Sequence, residues 1–374
     1  MDTSPNNRWH GRLAKVCVLL TFGLILVGAI VTTSGAGMAA PTAPHVDGTL
    51  LNPASPVTQT VWWKDPALLR EHGHRLIAMS VGLGVGALAA ALWRNWLAFA
   101  ISIAFMGAAE GLRSFKLDPA LIAQLRIWPA MILFITLLVT GARRRGKKPT
   151  TEQWMALIAY VAACAQALLG SLRVNLETAG SVVAATNIRI FHGVFAQAFL
   201  AFLVVLAARL SPVWQELGAQ SHEKAGKFRR MAIALLGLYF LQLACAAYLR
   251  HKGIGMLIPT WPAAGPGGSL LPIAWTHEMT IHFIHTRILP ILIAGHVIGM
   301  AIGTARRAAA IPRLTRVGWA LLAIVLLQFT LGVMVIWKTR QPHITNTHVV
   351  VGAAFCATAA LYFARAGRLR AATA

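Results

Sequence analysis

The chain has 374 residues, 57% of them hydrophobic and only 12% charged, with a formal net charge of +23 and a mean hydropathy of +0.64. A soluble domain carries roughly twice that charged fraction, so a water-soluble globular protein is excluded. The strict alternation of a membrane β-barrel is also missing. The basic excess is not a nucleic-acid signal, because Lys and Arg sit in short blocks between long apolar runs.

In chain order the apolar runs predict ten helical spans: 14–34, 74–93, 96–112, 121–142, 153–171, 188–209, 229–249, 281–304, 314–337 and 346–365. Runs of about 20 residues suffice to cross a hydrocarbon core of about 30 Å. Glu110, Arg113, Lys116 and Arg126 interrupt the third and fourth, and this pair reads as an optional helical hairpin inserted at 94–150. Basic blocks lie at Arg8/Arg12/Lys15, Arg143/Arg144/Arg145/Lys147/Lys148, Lys224/Lys227/Arg229/Arg230, Arg306/Arg307/Arg313/Arg316 and Arg365/Arg368/Arg370. With the N-terminus inside and strict alternation, all five blocks fall on the cytoplasmic side. Removing the whole hairpin preserves that parity; removing one of its spans does not. The N-terminus is a short basic leader with no obvious cleavage site, too poor in Arg and Ser for an organelle transit peptide. The expectation is a multi-pass protein of a bacterial plasma (inner) membrane with both termini cytoplasmic. Cys17, Cys164, Cys245 and Cys356 all lie inside apolar runs without metal-ligand spacing, and read as packing residues.

An internal repeat runs through the chain. "GAGMAAP" (35–41) ends the first span and "GIGMLIP" (253–259) follows the seventh; both fit G-x-G-M-x-x-P. Each precedes an outer loop and a span that opens on histidine, His74 and His285. Q-x-x-L-G then recurs as "QALLG" (166–170) and "QFTLG" (328–332), each followed by a loop with Thr-Asn (Thr186-Asn187, Thr345-Asn346) and a span opening on His192 or His348. Both units begin by crossing outward. The predicted fold is therefore an all-α polytopic membrane protein. Two four-helix bundles are related by a pseudo-two-fold along the membrane normal, over 1–210 (with the hairpin) and 211–374.

On this topology His74, His192, His285 and His348 all lie at one depth, near the outer face. Two histidines from different helices of one bundle can ligate a haem iron axially, which gives one site per unit. A single histidine at a helix entrance is also commonly just an interfacial polar residue; matched repeat positions are what favour ligation. His10 and His222 read as solvated inside, and His45 and His343 as outer-loop residues. His251, His277 and His282 lie near the outer rim, and His72 points away from His74. His296, three turns beyond His285 and deep in its span, is a candidate ligand or proton relay. No His/Cys cluster suits zinc.

Arg75 and Arg287 follow their histidines and are candidate anchors for a carboxylate such as a haem propionate; the alternative is snorkelling into headgroups. Arg173, Arg189, Arg250 and Lys252 are further outer-side bases. Glu71 stands three residues before His74, on the same face, whereas the residue three before His285 is His282. An acid beside one ligand pair only is expected if one site does chemistry and the other carries electrons. The alternative is an acid stabilised by the helix macrodipole. Glu278, seven residues before His285, complicates the contrast.

These pieces resemble the haem A synthase family (bacterial haem A synthase and mitochondrial Cox15). The matching segments are "SGAGM" (34–38), "EHGHR" (71–75), "QALLGSLRV" (166–174), "HGVFAQAF" (192–199), "RHKGIGM…PTWP" (250–262), "HFIHTR" (282–287) and "NTHVVVG" (346–352). They run in family order over nearly the whole chain outside 94–150. The resemblance implies eight helices in two four-helix units, each with a histidine pair. It implies that His285 and His348 hold a haem b cofactor, that His74 and His192 bind the substrate haem O, and that Glu71 is the acid important for activity. The implied reaction oxidises the C8 methyl of haem O to a formyl group, by successive hydroxylations and loss of water, giving haem A for a terminal oxidase. Implied partners are haem O itself, a haem O synthase, an electron donor of unassigned identity, membrane lipid and a second copy of the chain. Nucleic acid is not among them.

The chain departs from the family in four places. The first outer loop, 35–73, lacks the cysteine many bacterial members carry, which excludes any mechanism needing that disulfide. The hairpin 94–150 is extra. The same loop reads "AAPTAPH" where relatives often carry Trp-Pro, while the second keeps Trp261-Pro262. "HFIHTR" has a threonine between His285 and Arg287. Two other readings stay open at this point: a non-enzymatic di-haem electron-transfer cytochrome, which does not need Glu71, and a transporter with a His/Glu proton relay, which binds no haem.

Overall fold

The computed structural model describes residues 5–40, 61–111, 119–144, 146, 148–307 and 311–371, with side chains described outside 5–8, 109–111, 119–127 and 144. The readings made above for His45, Arg113, Lys116, Arg145 and Lys147 fall outside the described residues, as do those for the side chains of Arg8, Glu110, Arg126 and Arg144.

The chain is all-α and multi-pass. Its helices are α1 (Pro5–Thr33), α2 (Pro66–Leu92), α3 (Trp96–Gly111), α4 (Pro119–Arg144), α5 (Thr151–Thr178), α6 (Val182–Arg209) and α7 (Pro212–Gly218). They continue as α8 (Ala225–His251), α9 (His277–Phe283), α10 (Leu289–Arg307), α11 (Pro312–Trp337) and α12 (Pro342–Arg368). A π-turn, Ile284–Ile288, joins α9 to α10. Among the described residues eight helical stretches are long and apolar enough to cross a membrane, in α1, α2, α5, α6, α8, α9–α10, α11 and α12. The other two of the ten expected spans form the hairpin, α3 and the 26-residue α4, whose described side chains include the apolar stretches Trp96–Ala108 and Trp128–Arg143. The 16 residues of α3 rise about 24 Å at 1.5 Å each, short of a ~30 Å hydrocarbon core.

Local chemistry sets the helix starts. Asp65 caps α2, its carboxylate accepting from Ala67 N at 2.9 Å and Leu68 N at 3.1 Å, with Pro66 at the first helical position. Thr150 and Gln153 form a reciprocal capping box at the start of α5. Thr276 caps α9 through Met279 N. Hydroxyls inside the spans bond back to the carbonyl four residues earlier, as with Thr21 to Cys17 and Thr304 to Met300, so little polar capacity faces lipid.

The chain divides into two compact units, 1–199 and 200–374. In the first, α2 packs between α1 and α5. The α3–α4 hairpin packs on α2 and α5: Phe99 and Tyr160 crowd Gly86, where an added Cβ would stand 2.9 Å from the Phe99 ring, and Phe134 meets both aromatic rings edge-on. In the second unit α8, α10, α11 and α12 close a ring of contacts. Their core is built from residues such as Leu235, Val297, Met300, Leu314, Leu321 and Phe355. Its buried hydroxyls are satisfied, Tyr239 donating to Gly352 O at 3.0 Å and Tyr362 pairing with Thr304 at 2.7 Å.

Candidate functional site

In the first unit the opening turns of α2 carry Glu71, His74 and Arg75. The His74 ring lies against Gly28 of α1, where an added Cβ would stand 3.0 Å from the ring Cε1. His192, from α6, lies against Gly170 of α5 at the corresponding distance of 3.7 Å. The two imidazoles stand within electrostatic range of each other. The Nδ1 of each is buried without a hydrogen-bond partner. The Leu24 carbonyl lies beside His74, short of normal hydrogen-bond geometry.

The second unit repeats the arrangement with different details. His285 sits in the π-turn, its Nδ1 3.3 Å from Gln242 O, while Gln242 Nε2 donates to His285 O at 2.9 Å. His348, from α12, lies against Gly332 of α11, where an added Cβ would stand 3.2 Å from its Cε1. Gln328 Nε2 is 3.3 Å from His348 Nε2, and His348 Nδ1 is buried and unpartnered. His285 and His348 are again within electrostatic range.

The Q-x-x-L-G repeat now has a physical content. Spacing of four puts the glutamine and the glycine on one helix face, and both address the histidine of the next span. Gln166 Nε2 donates to His192 O at 3.3 Å, as Gln328 meets the His348 ring. Gln242 plays the equivalent part for His285 without belonging to the motif. The Oε1 atoms of Gln166, Gln242 and Gln328 are all buried and unpartnered. Sequence reading assigned these glutamines no role; for Gln166 and Gln328 the signal was their fixed spacing from the glycine, and Gln242 carried none.

Glu71 is 3% exposed and fully engaged. Its Oε2 accepts from Ala40 N at 2.7 Å, and its Oε1 accepts from Arg75 Nη2 at 2.8 Å. Arg75 Nη2 also donates to Ala40 O at 2.7 Å. Acid and arginine together clamp the main chain just after the "GAGM" segment. Arg287 holds the matching loop of the second unit, Nη2 donating to Thr260 O at 2.6 Å and Ala263 O at 2.7 Å. The threonine between His285 and Arg287 is accommodated by the wide π-turn, which takes one extra residue into a helix. Both arginines thus reach loop carbonyls in their own unit despite the different spacing.

His282, the counterpart of Glu71, is buried and its Nε2 lies 3.2 Å from Gly255 O. His72 is buried too, edge-on to Trp62 at 4.7 Å, with neither ring nitrogen partnered. His296 bridges helices, its Nε2 2.9 Å from Met231 O of α8. None of the four cysteines is in a disulfide. Among the described residues no three His, Cys, Asp or Glu side chains gather as a metal-ion site. What each unit offers is a pair of half-buried imidazoles with neighbouring small residues and orphaned ring nitrogens. Those residues would suit a haem held by one histidine pair in each unit, and His285 already has a carbonyl, Gln242 O, facing its Nδ1.

Comparison with known families gives one match. Residues 126–360, more than half of the chain, match the COX15–CtaA family, described as cytochrome oxidase assembly protein. His192, His285 and His348 lie within that stretch; Glu71 and His74 precede it. No curated protein matches the chain.

Proposed function

Because the chain belongs to the COX15–CtaA family of cytochrome oxidase assembly proteins, we propose that its part in that assembly is haem A synthesis: oxidation of the C8 methyl of haem O to a formyl group. The observation that carries this reading is the doubled histidine pair, one per unit, in which His74, His192 and His348 each lie against a glycine with a buried, unpartnered Nδ1, and His285 Nδ1 faces the Gln242 carbonyl. In it His285 and His348 hold haem b, and His74 and His192 hold haem O. When bound, haem b supplies one-electron iron chemistry. The residues of this chain bind, orient and enclose. Gly28, Gly170 and Gly332 leave room for the rings of His74, His192 and His348, and Gln242 fixes His285 through its main chain. Glu71 and Arg75 hold the loop over the substrate pair and keep a carboxylate one turn from His74.

Localisation and partners follow from the same reading. Basic blocks facing the cytoplasm put both termini inside and the histidine pairs near the outer face of a bacterial plasma membrane. A haem O synthase would hand over the substrate, and an electron donor would serve the haem b unit; membrane lipid and a second copy of the chain complete the proposed partners.

The test is to express the chain with a supply of haem O, purify it, record its absorption spectrum and separate the extracted haems by chromatography. Haem b together with haem A, or the alcohol on the way to it, is the expected result. Absence of any haem sinks the proposal. Haem b without any oxidised product in active membranes makes the chain a di-haem electron carrier instead.

A further inference from the structure

The histidine end of the first unit carries a network of two acids and three arginines. Beside the Glu71–Arg75 pair, Glu177 Oε2 accepts from Arg173 Nη1 at 3.1 Å and from Arg189 Nη2 at 2.8 Å. Arg173 also donates to Gly37 O at 2.5 Å and stands within electrostatic range of Glu71. Arg189 precedes His192 by three residues, as Glu71 precedes His74. Each ligand histidine therefore has a member of this network one helical turn away. His74 and His192, each with a buried and unpartnered Nδ1, are both within electrostatic range of Arg173. The second unit is built otherwise. Arg287 bonds to carbonyls and to the Thr286 hydroxyl. The ion pairs Lys224–Glu223 and Arg313–Glu216 of that unit lie at the opposite end of the bundle.

We propose that Glu71 and Glu177 compete with the two propionate carboxylates of a haem for Arg75, Arg173 and Arg189, so that the first unit holds its haem loosely enough to exchange it. The inference rests on the haem reading above and adds a positioning residue, Glu177, that touches no iron. Arginine–carboxylate bonding is strong and directional. If binding a propionate means releasing a glutamate, the exchange is nearly balanced and the propionates add little net affinity. In the second unit Arg287 is held by carbonyls and a hydroxyl rather than by a glutamate, so a propionate that binds it displaces no charge and adds to retention. A substrate that must enter and a product that must leave need the first behaviour; a resident cofactor needs the second.

The test loads the purified full-length protein with haem b or with its dimethyl ester, whose propionates are blocked, and follows haem transfer to excess apomyoglobin. The wild type should release one haem fast and one slowly, with His74→Ala removing the fast phase. Esterification should leave the fast phase nearly unchanged and accelerate the slow one. Glu177→Gln should slow the fast phase on the order of tenfold, as expected for about 1.4 kcal/mol of freed pairing, with haem b but not with its ester. Glu177→Asp, which keeps the charge, should retain the fast phase. A fast phase that accelerates on esterification as much as the slow one overturns the proposal, and that comparison needs no variant. So does a Glu177→Gln rate equal to the wild type, or a slowing that persists with the ester. A wild type that takes up no haem defeats the haem reading itself.

Discussion

The two units hold the same kind of loop by different chemistry. In the first, the segment after "GAGM" is fixed by ions: Glu71 takes the Ala40 amide while Arg75 and Arg173 take the Ala40 and Gly37 carbonyls. In the second, His282 meets Gly255 O, Arg287 takes two carbonyls, and Trp337 Nε1 donates to Trp261 O at 3.0 Å. In each of these four contacts the acceptor is a main-chain carbonyl. Securing a loop over a histidine pair therefore does not require an acid. The acids of the first unit are a specialisation on a common frame, and changes that remove it should affect the two units unequally.

The largest effect is expected from Glu71→Ala. It strands the Ala40 amide and leaves Arg75 without its carboxylate. Breaking a buried pair costs about 3–5 kcal/mol; Arg75 is 17% exposed, so water recovers part of this and about 2–3 kcal/mol is expected. The variant should keep haem b but stall conversion of haem O, read by haem extraction from active membranes. Glu71→Gln keeps an acceptor for Ala40 and should fall between. Normal haem A from the alanine variant would remove Glu71 from the chemistry altogether.

A smaller and more symmetrical effect is expected at the glycines. A Cβ at Gly28 or Gly332 would press on His74 or His348 at 3.0 or 3.2 Å. Crowding of this kind costs about 1–3 kcal/mol, or roughly 5- to 150-fold in haem affinity at the affected unit alone. Gly170→Ala, at 3.7 Å from His192, makes an ordinary contact and should change little. Equal losses of both haems from Gly28→Ala, in a haem titration, would contradict separate sites in separate units.

Much of this was legible beforehand, for physical reasons. Long apolar runs must be helices in lipid because the backbone has no other partner, and eight of the ten expected spans are full-length ones. The inserted hairpin was legible as well and forms as α3 and α4, though hydropathy reads composition and does not reveal that α3 is only 16 residues long. The matched histidines were visible as spacing; the glycines behind them were visible only as repeat markers, since a residue without a side chain shows no preference for what lies opposite. The Glu177–Arg189 pair had no signal at all. Its members lie 12 residues apart, at the end of α5 and the start of α6, and helical periodicity does not extend across a loop. The arginines stood out beside their histidines, but sequence cannot say which acceptor a guanidinium will choose, and in both units Arg75 and Arg287 choose loop carbonyls.

The smallest effect tests how the extra residue in the second unit is tolerated. A π-turn arises when one residue is added to an α-helix without changing the phase of either flank. Deleting Thr286 should therefore convert Ile284–Ile288 to regular helix, leave His285 in phase with α9 and Arg287 in phase with α10, and restore the His-Arg spacing of the first unit. The deletion loses the bonds from the Thr286 hydroxyl to His282 O and from Arg287 Nη1 to that hydroxyl. It gains a regular main-chain ladder, so the net change in stability should stay within about 1 kcal/mol. Haem b should remain bound with an unchanged bis-histidine spectrum. Loss of haem b from a folded variant would mean that the wide turn itself sets the angle at which His285 meets the iron, and that the two units differ in their ligand geometry as well as in their charges.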